Sequence, residues 1–370
     1  MELVFTKMQG TGNDFVVIDS RDVDLSRHFD MPELARTLCN RRFGIGADQL
    51  LMLCSSSEAD FKMVIFNADG SEVEMCGNGI RCLAKYIWDR KIATKDILKI
   101  ETAAGVRRPE RIGDLVRVDM GEPVLAADEI PVAIESANPI IDHPLMVNGR
   151  VLKTTCVSMG NPHAVIFLNE DFDNFPVNVY GPAVESHSIF PNKTNVEFVN
   201  VLNKKEMKMR VWERGVGETL ACGTGASAAA VAAILKELTD RKVTIHLLGG
   251  DITIEWPRDE RVFMTGPAVE VFEGRIANLS EKRAEQRRHQ RLACQTQFSF
   301  YKKGESGNKL YKCACVDISE SGVGVVAETE LKPGTIIAFL KKDGQSVLRN
   351  AVVIWSINFK DKCKAGLMFI

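Results

Sequence analysis

An excess of charge of either sign is lacking in this sequence, with 47 Lys and Arg against 49 Asp and Glu. The formal net charge is -2, which leaves no whole-protein field to attract nucleic acid or an anionic membrane. Long apolar runs are lacking too. No stretch approaches the ~20 residues that a bilayer-spanning helix needs. The start, Met1-Glu2-Leu3-Val4-Phe5-Thr6-Lys7-Met8, has no basic segment ahead of an apolar core, so no signal peptide is expected. Ten cysteines in 370 residues fall far below the density of a disulfide scaffold. They show no framework spacing, so reduced thiols in a cytoplasmic protein are expected. Metal-ligand spacing is also missing. Cys313-Ala314-Cys315 is wrong for a zinc knuckle, and no histidine cluster stands near it.

The composition, 45% apolar and 26% charged, is that of a soluble globular protein, and the length implies two or three domains. One stretch is written twice. Phe66-Asn67-Ala68-Asp69-Gly70-Ser71 leads to Cys76-Gly77-Asn78-Gly79, and Trp212-Glu213-Arg214-Gly215 leads to Cys222-Gly223-Thr224-Gly225. Without a gap, Phe66 falls on Trp212, Glu72 on Glu218 and Cys76 on Cys222. Each cysteine heads a Gly-x-Gly turn that opens an apolar helical run. A second echo, Gly12-Asn13-Asp14-Phe15 against Gly160-Asn161-Pro162-His163, lies at nearly the same offset. Two echoes at almost one offset imply a duplicated, pseudo-symmetric pair of lobes.

Periodicity predicts strands over 2–5, 15–18, 61–66, 97–101 and 115–120, and helices over 32–39 and 79–88. The break Gly121-Glu122-Pro123 marks a candidate boundary. In the second half a helix is predicted over 226–238, buried almost all round because it has no charge before Lys236. Strands follow over 243–247, 252–256 and 261–264. Residues 280–291 form a charged run. Short alternating strands over 294–300, 310–316, 323–327, 335–341, 348–356 and 364–369 predict a small β-barrel beyond it.

A free thiol has a pKa near ~8.5. A helix N-terminus offers unpaired N–H groups and a dipole effect of about 0.3–2 kcal/mol, so it is expected to shift a thiol by about one unit toward thiolate. A thiolate and a thiol facing one carbon can remove a proton from one face and return one to the other, which inverts that carbon. The amides of Gly77, Asn78, Gly223 and Thr224 could converge on a carboxylate and stabilise the charge that spreads onto it.

Residues 1 to about 277 resemble diaminopimelate epimerase throughout. The resemblance rests on Gly12-Asn13-Asp14-Phe15, Asp48-Gln49-Leu50, the two cysteine turns, Met159-Gly160-Asn161-Pro162-His163, Glu213-Arg214-Gly215 and Met264-Thr265-Gly266-Pro267-Ala268. It implies interconversion of LL- and meso-diaminopimelate, on the route to lysine and peptidoglycan, without pyridoxal phosphate or metal. It implies an α+β fold of two pseudo-symmetric lobes, each wrapping mostly antiparallel strands around a central helix. The expected domains are 1–121 and 122–263, with 264–277 packing back on the first lobe. Cys76 and Cys222 match the base and acid. Asn13, Gln49, Asn67, Asn161, Asn195, Glu213 and Arg214 match substrate contacts, and His163 with Glu213 tunes the thiols. Thr224 stands where serine is common, and its amide role survives the change. A homodimer is expected. Cys39, Cys54, Cys82, Cys156, Cys294 and Cys363 read as core thiols.

The tail, 278–370, resembles a PilZ domain: a basic linker and a small barrel. Arg287-Arg288-His289-Gln290-Arg291 supplies an Arg-x-x-x-Arg element, and Asp317-Ile318-Ser319-Glu320-Ser321-Gly322 an Asp-x-Ser-x-x-Gly element. Arg283 and Arg287 share the arginine spacing, so its register stays open. The resemblance implies a cyclic di-GMP receptor using Arg287, Arg288, Arg291, Asp317, Ser319 and Gly322. Guanidinium groups fork onto phosphate and onto guanine O6 and N7. Three readings compete: an epimerase fused to a nucleotide sensor, an isomerase of another amino acid on the same scaffold, and a nucleotide receptor built on a retired enzyme. The intact cysteine turns argue against the last. For the tail alone, an interaction module that binds no nucleotide is the alternative.

Overall fold

The fold was analysed in a computed structural model of the chain. It describes all residues except 1, 135–137, 169–171, 259–260, 277–291, 294–295, 305–308, 320–321, 341–346 and 360–361. One compact unit runs to Glu281, and a second takes Lys282–Ile370.

Among the described residues, the first unit holds two sheets and four α-helices: α1 (Met31–Cys39), α2 (Gly77–Asp89), α3 (Val177–Glu185) and α4 (Gly223–Leu235). The eight-stranded sheet runs in the order Val269–Ile276, Leu3–Gly10, Asn13–Asp19, Gln49–Cys54, Phe61–Asn67, Ile100–Thr102, Gly105–Arg107, with Glu72–Val73 beside Phe61–Asn67. The first two strands extend further than their apolar runs predict. Thr11 and Gly12 alone make the turn, at φ 53 and 84, and two left-handed residues are what a tight hairpin requires. The sheet packs on α2, whose Ile80, Leu83, Ala84 and Ile87 are fully buried.

The eleven-stranded sheet repeats the plan around α4, in which every residue from 225 to 234 is buried. Its order is His143–Val147, Arg150–Ser158, Pro162–Phe167, Asn195–Asn203, Glu206–Glu213, Lys242–Leu247, Gly250–Glu255, Val262–Gly266, Leu115–Gly121, Glu110–Ile112, with Gly217–Thr219 beside Glu206–Glu213. The helix starts at Gly223 and ends at Leu235, three residues ahead of expectation at both ends. Its first-turn glycines adopt helical geometry behind an N-cap, and left-handed Glu237 (φ 55) ends it. α3 escapes the periodicity because it contains Gly181 and Pro182.

The change of sheet differs from the turn expected at residue 121. Glu110–Ile112 and Leu115–Gly121 already belong to the second sheet, which they enter through Val262–Gly266. Val269–Ile276 then returns to pair with Leu3–Gly10. The Gly121 turn marks a bend of the chain, whereas the crossing is decided by pairing across some 145 residues of sequence.

The second unit is a closed antiparallel barrel of Gln297–Lys302, Tyr311–Ser319, Gly322–Ala327, Ile336–Leu340, Val347–Phe359 and Lys362–Phe369. The pairing of Tyr311–Ser319 with Gly322–Ala327 closes it. Phe300, Val325, Ile337 and Ala365 are among its fully buried core residues. The arginine element at 287–291 lies outside the described residues. Among those that are described, no helix is long and apolar enough to cross a membrane.

Candidate active site

Each of the paired cysteines is the N-cap of a helix. Cys76 caps α2 and Cys222 caps α4, both with extended backbone. Their sulfurs accept from the amides of Gly79 and Gly225, each at 3.4 Å. The cap geometry needs a side-chain acceptor at this position, and a thiol there meets the helix's unpaired amides. Met264 wedges between the helix ends. A Cβ on Gly77 would stand 3.0 Å from Met264 Cε, and one on Gly223 3.0 Å from Met264 Sδ. Glycine after each cysteine thus lets the two ends close on one side chain.

Both cysteines line one cleft of ≈ 1550 Å³. Asn13, Gln49, Asn67, Gly77, Asn78, Asn161, Glu213, Arg214, Gly223 and Thr224 line it as well. Asn13 Oδ1 accepts from Asn78 Nδ2 at 3.3 Å and from Cys76 Sγ at 3.7 Å. Gln49 Nε2 donates to Asn67 Oδ1 at 2.9 Å, and Asn67 Nδ2 to Ser71 Oγ at 2.9 Å. Gln49 Oε1 and Asn78 Oδ1 are buried and meet no donor among the described residues. Glu213 accepts from the Thr219 hydroxyl.

Two expected residues lie behind the cleft wall. Asn195 is buried; its Nδ2 donates to Pro162 O at 3.0 Å and its Oδ1 accepts from the Arg214 amide at 2.9 Å. It thereby holds the backbone of Arg214, which lines the cleft. His163 is fully buried, with Nδ1 2.7 Å from Glu197 Oε1 and Nε2 3.0 Å from Asn161 Oδ1.

The electrostatics differ from the helix-end expectation. Burial outweighs the dipole and pushes both thiols up. At Cys76 the amides of Gly79 and Asn78 and the charge of Arg81 oppose it, while Glu213 adds to it. Cys222 is pushed well above the ordinary range by burial, then by the carboxylates of Glu213 and Glu197. Burial also raises Glu213, against the hydrogen bonds of Thr219 and Cys222.

Residues 5–126 and 155–271 match the family described as diaminopimelate epimerase. The diaminopimelate epimerase of Moorella thermoacetica is 54% identical over 276 residues, 73% of this chain and 98% of that protein. The chain belongs to the diaminopimelate epimerase family. A second relative, the diaminopimelate epimerase of Methanococcus maripaludis, is 50% identical over 279 residues, 74% of this chain and 99% of its own. Among solved structures, a PhzF-family phenazine biosynthesis protein of Bacillus anthracis aligns with a TM-score of 0.53 at 16% identity, covering 75% of this chain and 100% of its own. A hydroxyproline epimerase of Agrobacterium vitis aligns with a TM-score of 0.53 at 13% identity, over 75% and 92%. At such identities these two show the two-lobed fold alone. Residues 285–370 match the PilZ domain.

Sequence reasoning gave no role to three charged residues at or behind the cleft: Asp48, which lines it, and Arg81 and Glu197, which do not. Asp48 was legible within a family motif but drew no role of its own. Arg81 and Glu197 look like ordinary charges on a helix and a strand, and only their complete burial marks them.

Proposed function

We propose that the cleft of the first unit interconverts LL- and meso-diaminopimelate by proton exchange between Cys76, Cys222 and one α-carbon. The observation that carries the reading is the pair of N-cap cysteines opening on one cleft, in a chain that spans 98% of a curated diaminopimelate epimerase. One thiolate takes the α-hydrogen as a proton, and the opposite thiol gives its proton to the other face. Each turnover leaves the protons exchanged between the sulfurs and the substrate isomerised, with no net change in oxidation. The amides of Gly77, Asn78, Gly223 and Thr224 bind the α-carboxylate, whose negative charge grows as the carbanion forms. Arg214 and the amide side chains of Asn67 and Asn161 address the distal head. The buried oxygens of Gln49 and Asn78 suit ammonium donors. Glu213 stands against Cys222 and takes part in its proton inventory.

The tail belongs to the same proposal as a cyclic di-GMP-binding domain. The PilZ match supports it, because Arg287, Arg288 and Arg291 fall within the matched residues. So does the position of Asp317, Ser319 and Gly322 on one hairpin, where Ser319 pairs with Gly322 and Asp317 with Gly324. A homodimer is proposed too. Val4, Val269, Val271 and Phe272, exposed on and beside the edge strand Val269–Ile276, are the apolar surface it would cover. The nine described cysteines are all free thiols, which supports a reducing, cytoplasmic location.

The test of the enzymatic reading is incubation of the full chain with LL-diaminopimelate in deuterated water. Formation of the meso form with deuterium at one α-carbon is expected. An unchanged substrate over many enzyme equivalents would refute it.

A further inference from the structure

The lobes repeat each other, but the groups behind their cysteines do not. Strand register lays out the repeat. Phe15 faces Gln49 across a parallel pair in the first sheet, and His163 faces Asn195 across a parallel pair in the second. Two residues on, Leu51 and Glu197 take matching places. Both places back the first turn of a helix. A Cβ on Gly79 would stand 3.2 Å from Leu51 Cδ2 and 3.4 Å from Phe15 Cε1, whereas one on Gly225 would stand 2.6 Å from Glu197 Oε1. An apolar Phe–Leu pair therefore sits behind Cys76, and a fully buried His–Glu pair behind Cys222.

Five residues past each cysteine the contrast changes sign. α2 has Arg81 there, and α4 has Ser227, both fully buried. Ser227 Oγ turns back on its own helix and donates to Gly223 O at 2.9 Å. Arg81 is held by neutral acceptors. Nε donates to Pro267 O at 3.2 Å, Nη1 to Met264 Sδ at 3.4 Å and Nη2 to Thr11 Oγ1 at 3.2 Å. No carboxylate among the described residues pairs with it. Gly10 and Gly266 flank the guanidinium so closely that a Cβ on either would stand 3.2 Å from one of its nitrogens. A buried cation in a fitted slot, lacking an anion of its own, acts at short range on whatever can ionise nearby.

We propose that Arg81 and Glu197 break the equivalence of the two thiols, so that Cys76 ionises first and Cys222 keeps the shared proton in the resting enzyme. The inference rests on the two-thiol reading of the site. At Cys76 burial raises the thiol; the amides of Gly79 and Asn78 oppose it, joined by the charge of Arg81, which also acts on Cys82, while Glu213 and the Asn13 oxygen favour thiol. At Cys222 burial, Glu213 and Glu197 all favour thiol, with the Gly225 amide and Thr224 opposing them, and His163 shares the Glu197 carboxylate. Neither Arg81 nor Glu197 lines the cleft, so both are positioning residues that work through the sulfurs. The consequence is directional. The stereoisomer whose α-hydrogen faces Cys76 meets a ready base, and the other must find the proton-exchanged enzyme.

The test labels the full chain with iodoacetamide, without substrate, over roughly pH 6 to 9, and quantifies each cysteine peptide by mass spectrometry. Cys76 is expected to alkylate about tenfold faster than Cys222 near neutral pH, since one pKa unit changes the thiolate fraction about tenfold. Arg81→Gln should slow Cys76 by about tenfold near neutral pH and move its pH midpoint up, with Cys222 unmoved. Arg81→Lys should largely restore the Cys76 profile. Glu197→Gln should speed Cys222 by about tenfold and leave Cys76 alone. A packing role for Arg81 would lower stability without moving the ratio. Equal rates in the parent protein, or a ratio unmoved by the variants, would overturn the proposal. Should Arg81→Gln not fold, Glu197→Gln carries the test alone. The labelling needs no turnover, so an active epimerase with equal thiols sinks only the asymmetry, and unequal thiols without epimerisation sink only the assigned reaction.

Discussion

Asp48 decides which end of the Asn13 amide faces Cys76. Asp48 Oδ2 accepts from Asn13 Nδ2 at 2.8 Å, which turns Asn13 Oδ1 toward Asn78 Nδ2 and the Cys76 sulfur. A carboxylate can only accept, so the orientation of the amide follows from its partner. Asp48→Ala should release Asn13 and lower kcat by roughly 10- to 100-fold, in line with the loss of a charge-assisted hydrogen bond. The KM should change little, and steady-state kinetics separate the two.

Replacing either Cys76 or Cys222 by alanine would remove one of the two proposed proton carriers. Turnover should fall by roughly a thousandfold or more in each variant, as expected when an acid or base in the reaction is deleted. A coupled assay for the meso product reads this directly. Full activity in either variant contradicts the two-thiol mechanism.

The His163–Glu197 pair, fully buried with 2.7 Å between Nδ1 and Oε1, should be costly to break and cheap to replace as a unit. His163→Phe or Glu197→Leu alone leaves a polar partner stranded in the core, at a cost of about 3–5 kcal/mol. The double variant installs the residues that the first lobe carries, Phe15 and Leu51, and should recover most of that stability while losing activity. Urea denaturation of the four proteins closes the cycle.

Asp14 ties the rim of the cleft to the first strand. Its carboxylate accepts from Lys7 Nζ at 2.6 Å and Arg41 Nη2 at 2.7 Å, and Lys7 also reaches the carbonyl of Gly46. Burial would raise its pKa, but the hydrogen bonds of Arg41 and Lys7 outweigh burial and bring it to about 2. A depressed carboxyl pKa stabilises the fold above the unfolded value and loses that contribution as pH falls. Asp14→Asn should therefore cost roughly 1–2 kcal/mol at neutral pH. The gap between variant and parent should narrow as pH falls through ~3.9 and close only below about 2. Denaturation at several pH values checks the sign.

Calorimetry should detect cyclic di-GMP binding to the full chain, and Arg287→Ala or Arg291→Ala should abolish it. Asp317→Ala should weaken binding by roughly tenfold, the worth of one hydrogen bond to a guanine donor. Absence of heat in the parent protein would reassign the tail as an interaction module.

Much of this molecule was determined by the sequence alone. The doubled Cys-Gly-x-Gly turns identify both catalytic candidates because an N-cap and its first turn are local: four consecutive residues suffice to place a thiol on a helix end. The Gly-Asn turns, the strands beside them and the barrel of the tail are legible for the same reason, since their periodicity and turn residues lie within a few positions of each other. The tertiary structure decided the rest. Arg81 meets partners 70, 183 and 186 residues away, and Glu197 meets His163 34 residues away. Asn195 holds the backbone of Arg214 19 residues away, and Glu110–Ile112 joins the second sheet through Leu115–Gly121. None of these has a local signature. A buried charge is stabilised or left exposed to its neighbours by what the folded chain packs against it, so the repeat could place two equivalent cysteines, while their electrostatic difference arose only when Arg81 and Glu197 were enclosed behind them.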